Sequence, residues 1–509
     1  MDKEISLDEN KKFIFNPYYR MHNDEKRVVF ASIETPKFPS HIADSDIVGF
    51  IHPIHAMLFS FFTGATPLHK TIGEIAYFFD ISRETAIEKI KPFINNERIF
   101  IQYDGLSYSF PKNIIIENNK NYRNQNYSPA DFNIKNADMD FSYQRLIKSP
   151  LDLNFIVNNT CVTDCIYCYC DKSRHVDCTI PLNRLQEIIK EASALNMRSF
   201  DISGGELFLY KEWQEFIYSL KNNGFDPYIS SKIPINIENV NKLSEINVRH
   251  IQISLDSVNP TELCHTLKVD SNYFSKIEST IENLEKKGIY VTLKSILTSY
   301  TYGKEGILKL YEFAAKHKNI IELNIGFAGY SLYKTPEDFK SYRVRLKDIQ
   351  DTEKLIEDLQ IKSNGLQVVP DSSYVNRDEY FCDKDTKMKN FNGRSFCTGN
   401  TTGILLLPDG KVSICEELYW HPKFIIGDLM EQSITDVWHS EKAKRLFEIQ
   451  PEDISENSAC KHCKDFHDCR QGLGVCWKEV LISYGKDNWD YPDPRCPYAP
   501  EVKYISFVE

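Results

Sequence analysis

No stretch of this 509-residue chain is long and apolar enough to cross a bilayer. The longest apolar run, Ile47 to Phe62, is interrupted by His52, Pro53 and His55, and a spanning helix needs about 20 apolar residues. An apolar signal core is missing too: Met1 to Lys12 is polar and acidic, so no secretory signal is expected. Positive charge is outnumbered, 61 Lys and Arg against 72 Asp and Glu. A net charge of −11 disfavours nucleic acid and anionic membrane as partners. Cysteine is plentiful, but the spacing of a small disulfide scaffold is not: the 14 cysteines cluster at short intervals, which points to metal or cluster binding. A soluble, cytoplasmic, oxygen-sensitive protein of roughly two to four domains is expected.

The segment Asn159-Thr160-Cys161-Val162-Thr163-Asp164-Cys165-Ile166-Tyr167-Cys168 follows a short apolar strand. Three thiolates from one tight loop suit a cuboidal iron–sulfur cluster, and a closed cluster wants four cysteines. Three leave one iron open to a small molecule. A zinc knuckle or a buried thiol cluster is the alternative, with Cys170 able to complete a four-thiolate set. With Tyr167 just before its last cysteine, the CxxxCxxC motif resembles the signature of the radical S-adenosylmethionine (radical SAM) superfamily. That resemblance implies a 4Fe-4S cluster on Cys161, Cys165 and Cys168. Its open iron would chelate the amino and carboxylate groups of S-adenosyl-L-methionine. One electron would then cleave the sulfonium to a 5′-deoxyadenosyl radical.

From Leu151 to about Phe327, strand and helix patterns alternate. Leu151, Leu153, Phe155 and Val157 have a strand period; Leu182, Leu185, Ile188, Ile189 and Ala192 have a helical one. Further strands read at 199–203, 227–231, 251–257, 289–297 and 320–327. Six strand–helix units predict an α/β fold, a parallel sheet with helices outside. By resemblance this is a partial (β/α)6 barrel, with the chemistry at the strand C-termini. Gly204-Gly205-Glu206 ends the second strand, where relatives hold the cofactor's amino group, although a bare Gly-Gly-Glu is also an ordinary turn. Ser254 and Asp256 end the fourth strand, where a similar Ser-x-Asp contacts ribose and carboxylate. Lys268 stands where relatives often carry a basic residue for that carboxylate; a solvated surface lysine is its bland reading. Ser230 and Ser231 are further candidates.

Seven cysteines lie between 397 and 496, around a strand–turn–strand pattern with an Asp409-Gly410 turn. Their order resembles the SPASM extension, which holds two auxiliary 4Fe-4S clusters; two zinc sites are the alternative. By resemblance Cys460, Cys463, Cys469 and Cys496 hold the outer cluster, and Cys397, Cys415 and Cys476 the inner one. Two departures stand out. The step from Cys469 to Cys476 is longer than usual, suggesting an inserted turn at 472–474, and a fourth inner ligand is replaced by Gly403. The inner cluster then either keeps an open iron or recruits Cys382. Glu416, directly after Cys415, is a candidate proton acceptor, with a solvated turn carboxylate as its bland reading. Cys170, Cys178 and Cys264 fit no pattern and read as small buried hydrophobes.

The first 112 residues read as a hairpin (18–22 and 27–32), three helical patterns and a second hairpin at 98–110. This arrangement resembles the winged-helix leader-binding domain of enzymes that modify ribosomally made peptides. A DNA-binding winged helix is the rival, but 13 Lys and Arg stand against 15 Asp and Glu over residues 1–112. A peptide laid along a sheet edge suits such a domain better. The expected organisation is residues 1–125 for leader recognition, 146–345 for the barrel, 346–396 as a bridge and 397–509 for SPASM. The expected activity is a radical SAM maturase forming a thioether or carbon–carbon crosslink in a precursor peptide with a leader. An external flavodoxin or ferredoxin would supply electrons. The rivals are a sulfatase-maturing, formylglycine-forming enzyme and a zinc-stabilised interaction protein.

Overall fold

Leu151, Leu153, Phe155 and Val157 are all buried, so the alternation read at the start of the barrel does mark a strand with that face in a core, and Ile156 on the other face is buried as well. The computed structural model describes residues 8–33, 43–44, 47–120, 122, 124–135, 138–173, 175–362, 365–371 and 381–502. The chain divides into two compact units, Met1–Asp152 with Glu191–Ser199, and Leu153–Lys190 with Phe200–Glu509.

The first unit runs β1 (Lys12–Phe15), β2 (Tyr19–Asn23), β3 (Val28–Ser32), β4 (Val48–Ile51), α1 (Pro53–Ser60), β5 (Thr63–Pro67), α2 (Leu68–Phe78), α3 (Arg83–Ile90), β6 (Ile99–Tyr103), β7 (Leu106–Phe110) and β8 (Ile115–Glu117). Strand β1 lies antiparallel between β5 and β8, and β2–β3–β4 form a second antiparallel sheet. The β6–β7 hairpin turns at Asp104-Gly105, both with positive φ, as a tight two-residue hairpin requires. Ser82 caps α3 by accepting from the Thr85 N–H. Phe15, Phe30, Phe59, Phe93 and Phe110 pack edge-on or stacked in the core. At the β2–β3 turn, Arg27 and Asp24 form a fully buried ion pair at 2.8 Å. Asp24 accepts the Ile147 and Lys148 N–H groups and Arg27 donates to the Arg145 carbonyl, so the pair fastens the segment that leads into the barrel. Strand β4 is an edge, and Val48 and Phe50 on it are exposed.

The second unit continues with β9 (Asp152–Ile156), α4 (Leu182–Ala194), β10 (Ser199–Ser203), α5 (Trp213–Asn222), β11 (Ser230–Ser231), α6 (Ile237–Glu245), β12 (His250–Ser254), α7 (Pro260–Leu267), α8 (Tyr273–Lys286), β13 (Tyr290–Leu297), α9 (Lys304–Lys316), β14 (Ile320–Phe327), α10 (Pro336–Tyr342), α11 (Leu346–Lys362), β15 (Gln367–Asp371) and α12 (Lys384–Asn392). Then come β16 (Gly403–Leu406), β17 (Lys411–Ser413), β18 (Gly427–Asp428), α13 (Ile434–Trp438), α14 (Glu441–Phe447) and α15 (Trp477–Tyr484). The expected strands are present, in two sheets. Strands β11 to β15 are parallel neighbours in order, while β10 and β9 pair on with the β16–β17–β18 meander. The third strand is shorter than its pattern because Tyr228 spends its N–H on the Asp201 side chain, not on a ladder. Strand β15, in the stretch read only as a bridge, extends the parallel sheet beside β14.

Candidate metal centres and cofactor site

Asn158, just past β9, ties the first two barrel loops together. Its side chain accepts the Glu206 N–H at 3.0 Å and donates to the Glu206 carbonyl at 2.9 Å, and its own carbonyl accepts the Gly205 N–H at 2.7 Å. The glycines answer to this packing. Gly204 has φ +113°, and a Cβ there would lie 2.4 Å from the Asn158 oxygen; one on Gly205 would lie 2.0 Å from the Thr160 oxygen. Any side chain would drive the loop after β10 away from the cysteine loop.

Glu206 is buried beneath them. Ser231 Oγ donates to both carboxylate oxygens at 3.1 Å, and the N–H groups of Lys232 and Phe208 add bonds at 3.2 and 3.3 Å. Burial pushes the Glu206 carboxyl up to about 7 against the pull of these donors. A carboxyl so poised becomes a full anion when an ammonium arrives. Asp256, at the end of the β12 loop, accepts from Lys232 Nζ at 3.0 Å, the Ile296 N–H at 3.0 Å and the Tyr167 hydroxyl. Lys232 also donates to the Tyr167 oxygen at 2.6 Å. Its burial opposes the charge, but Asp256 and the thiols of Cys165 and Cys161 hold its pKa above the usual lysine value. Ser254 is half-buried and accepts from Gln252 at 3.1 Å.

Lys268 lies beside the cysteine loop, within electrostatic reach of Asp164. It is the exposed C-cap of α7, in a left-handed conformation, and its neighbours Thr266 and Leu267 accept N–H groups from Ile166 and Asp164 of the cysteine loop. A further cation of the site is the half-buried Lys232, which sequence reasoning passed over; its one signal was adjacency to Ser230-Ser231.

In the cysteine loop, the Thr163 hydroxyl lies 3.2 Å from Cys161 Sγ and 3.4 Å from Cys165 Sγ. The Cys168 thiol is pulled down, chiefly because the Cys170 thiol donates to its sulfur. Cys170 itself is buried and packs with Ile156, Leu405, Leu407 and Tyr419. Among the described residues no three His, Cys, Asp or Glu side chains converge as around a single metal ion. The outer SPASM cysteines are neighbours: burial pushes the Cys496 thiol up to about 11, and Cys460, Cys469 and Cys463 add to the shift. On the inner side, Cys415 is raised to about 12 by burial, with Glu417, Glu416 and Cys397 contributing. The inserted turn before Cys476 is a π-helical turn at Asp468–Leu473, closed by Gly474 at φ +71°. Glu416 is raised by burial and by Glu417, while the Tyr169 hydroxyl, from the first cysteine loop, donates to it. Gly403 opens β16, its N–H bonded to the Thr398 carbonyl. Cys382 lies in the bend before α12, partly exposed.

Residues 155–314 match the radical SAM superfamily, and residues 397–464 match the SPASM iron–sulfur cluster-binding domain. The chain carries a radical SAM domain and a SPASM domain. It is an enzyme whose cofactors are S-adenosylmethionine and 4Fe-4S clusters. Among curated proteins it is similar to a probable GTP 3′,8-cyclase of Sulfolobus acidocaldarius, 23% identical over 309 residues that cover 58% of this chain and 91% of that one. Among solved structures it is similar to Streptococcus suis SuiB, with a TM-score of 0.62 and 14% identity over 95% of this chain and 99% of that one. SuiB bound to S-adenosylmethionine aligns with a TM-score of 0.60 and 13% identity over 95% and 99%. SuiB bound to its precursor peptide SuiA gives 0.60 and 12% over 94% and 98%. At such identities the likeness establishes the fold. The radical SAM residues fit their cofactor by chemistry, with three thiols in one loop, a buried carboxyl near neutrality for an ammonium and a half-buried lysine beside it. In the SPASM domain the buried Arg470 has Nε and Nη1 without a hydrogen-bond partner, next to the cysteines. Among the described residues no helix is long and apolar enough to cross a membrane.

Proposed function

We propose that this radical SAM enzyme matures a ribosomally made precursor peptide, abstracting a hydrogen from one residue and closing an intramolecular thioether or carbon–carbon crosslink. The observation that carries the reading is the likeness to SuiB over 95% of the chain, N-terminal unit included, together with the fact that SuiB has been solved with a precursor peptide. Cys161, Cys165 and Cys168 hold the cofactor's cluster; Gly204, Gly205, Glu206, Ser254 and Asp256 seat the cofactor. The cofactor supplies the radical, and the chain's own residues position the peptide and exclude water. Glu416, its carboxyl raised by burial, accepts the proton lost in the oxidation, and the auxiliary clusters that the SPASM cysteines would hold take up the accompanying electron. Residues 1–125 capture the leader, which adds as a strand along β4, where Val48 and Phe50 are exposed. A flavodoxin or ferredoxin delivers electrons, in the cytoplasm. The test is to incubate the reconstituted enzyme, cofactor and dithionite with small peptides encoded beside its gene. A peptide that loses two hydrogens in mass, with its leader required, is the expected product. Formylglycine formation on a leaderless sulfatase peptide would overturn the reading.

A further inference from the structure

Two buried arginines flank the cysteines assigned to the outer auxiliary cluster. Arg470 Nη2 lies 3.1 Å from Cys460 Sγ, and Arg394 Nη2 lies 3.6 Å from Cys469 Sγ. Neither is a surface charge: relative exposures are 6% for Arg470 and 9% for Arg394. Arg394 is pinned by the Gly474 carbonyl at 2.6 Å and by its own stacking 3.6 Å over Phe391. Arg470 is pinned by the Asp490 and Tyr491 carbonyls at 3.1 and 3.0 Å. Its other two donors, Nε and Nη1, are buried without a hydrogen-bond partner. The same side chain helps line a small cavity with Cys397, Gly399, Gly472, Gly474 and Trp477, so it stands at the boundary between the two cysteine sets.

The inner set has a different field. Cys397, Cys415 and Cys476 accept only neutral backbone N–H groups, from Gly399, Glu417 and Glu479 respectively, among the described bonds to these sulfurs. Around them stand carboxylates. Glu416 and Glu417 act on Cys415, and Glu479 and Asp493 act on Cys476, where Lys478 opposes them; Asp493 also acts on the outer Cys469. Lys478 answers Glu417 at 2.8 Å and Glu479 at 3.6 Å, and Arg495 answers Asp493 at 2.9 Å, but no cation donates to an inner sulfur in a described bond.

Charge-assisted hydrogen bonds are about twice as strong as neutral ones, and hydrogen bonds to ligand sulfur set cluster potentials. In a buried site such charges are weakly screened. We infer that Arg394 and Arg470 hold the outer auxiliary cluster at a higher reduction potential than the inner one, so that an electron given up by the inner cluster comes to rest on the outer. The inference rests on the ligand sets adopted above and is independent of which peptide is modified.

The test is a potentiometric titration of the reconstituted full-length enzyme followed by electron paramagnetic resonance, with iron and sulfide counted in every sample. Cys463→Ala identifies the outer signal by deleting it. The outer cluster is expected to be reduced first in the unaltered enzyme. R470M and R394M lower its midpoint while moving the inner midpoint less, and R470K, which keeps the charge but not the planar fork, falls between. A merely structural arginine would lower the iron content and leave the midpoint of the remaining cluster in place. Reduction of the inner cluster first, or an unmoved outer midpoint in a fully loaded R470M, overturns the inference. If R470M fails to hold the outer cluster, the order in the unaltered enzyme and the R394M and R470K midpoints decide. Survival of the outer signal in Cys463→Ala would instead refute the ligand assignment.

Discussion

Lys232 reaches from the end of the third barrel strand to Asp256 at the end of the fourth, Nζ to Oδ2 3.0 Å, with the aspartate side chain fully buried. Tyr167, between the second and third cysteines of the first loop, bonds to both. The floor of the site is thus tied together by the chain's own side chains. Lys232→Met should destabilise the cofactor-free protein by about 3–5 kcal/mol, because an unpaired charge would be left buried. Pairing it with Asp256→Asn should recover much of that loss. Denaturant titration of the single and double variants measures it, and additive losses would show that the pair is not coupled.

Glu206 imposes a pH dependence. Its folded pKa is raised to about 7, so between the ordinary carboxyl value and about 7 the folded chain holds a proton that the unfolded chain has released. Stability of the cofactor-free protein therefore falls as pH rises through that window. Binding of a cofactor ammonium runs the other way. It should tighten about fivefold between roughly pH 6 and 7, reach about tenfold by about pH 8 and then level off. Calorimetric titration across that range checks both, and Glu206→Gln should abolish the slope along with most of the affinity.

Replacing Cys161, Cys165 and Cys168 together by alanine should abolish reductive cleavage of S-adenosylmethionine, while iron in the SPASM domain survives. Release of 5′-deoxyadenosine from the triple variant under dithionite would remove the basis for the radical site.

Val48 is 51% exposed on the β4 edge. Val48→Glu should weaken precursor binding by at least about tenfold without shifting the melting temperature, since it places a charge on a peptide-pairing edge. Binding by the unaltered enzyme should depend weakly on salt. A steep salt slope would point to phosphate recognition instead.

Cys382→Ala should leave both iron content and activity unchanged, as expected if the fourth position of the inner cluster is open to a substrate thiolate. Loss of a cluster's worth of iron would make Cys382 a ligand and favour carbon–carbon bonding.

The CxxxCxxC loop, the Gly-Gly-Glu turn and the ordered SPASM cysteines were legible in the chain because each is local: several donors come from one short segment, and spacing alone carries the chemistry. The helical faces were legible for the same reason; Leu185, Ile188, Ile189 and Ala192 are all buried, as their period requires. Even the extra turn before Cys476 could be read from its length, though not its π-helical form. Lys232, Asn158, Arg394 and Arg470 were not legible. Each acts on a partner from another segment: Asn158 on Glu206, Lys232 on Asp256, Arg394 on Cys469, and Arg470 on Cys460 with the Asp490 and Tyr491 carbonyls. A lysine or arginine in a sequence is by default a solvated charge, and only packing decides which are buried. The order of strands in the two sheets, which sets Tyr167, Lys232 and Asp256 side by side, belongs to the tertiary structure. So does the burial that turns those charges into short, weakly screened interactions.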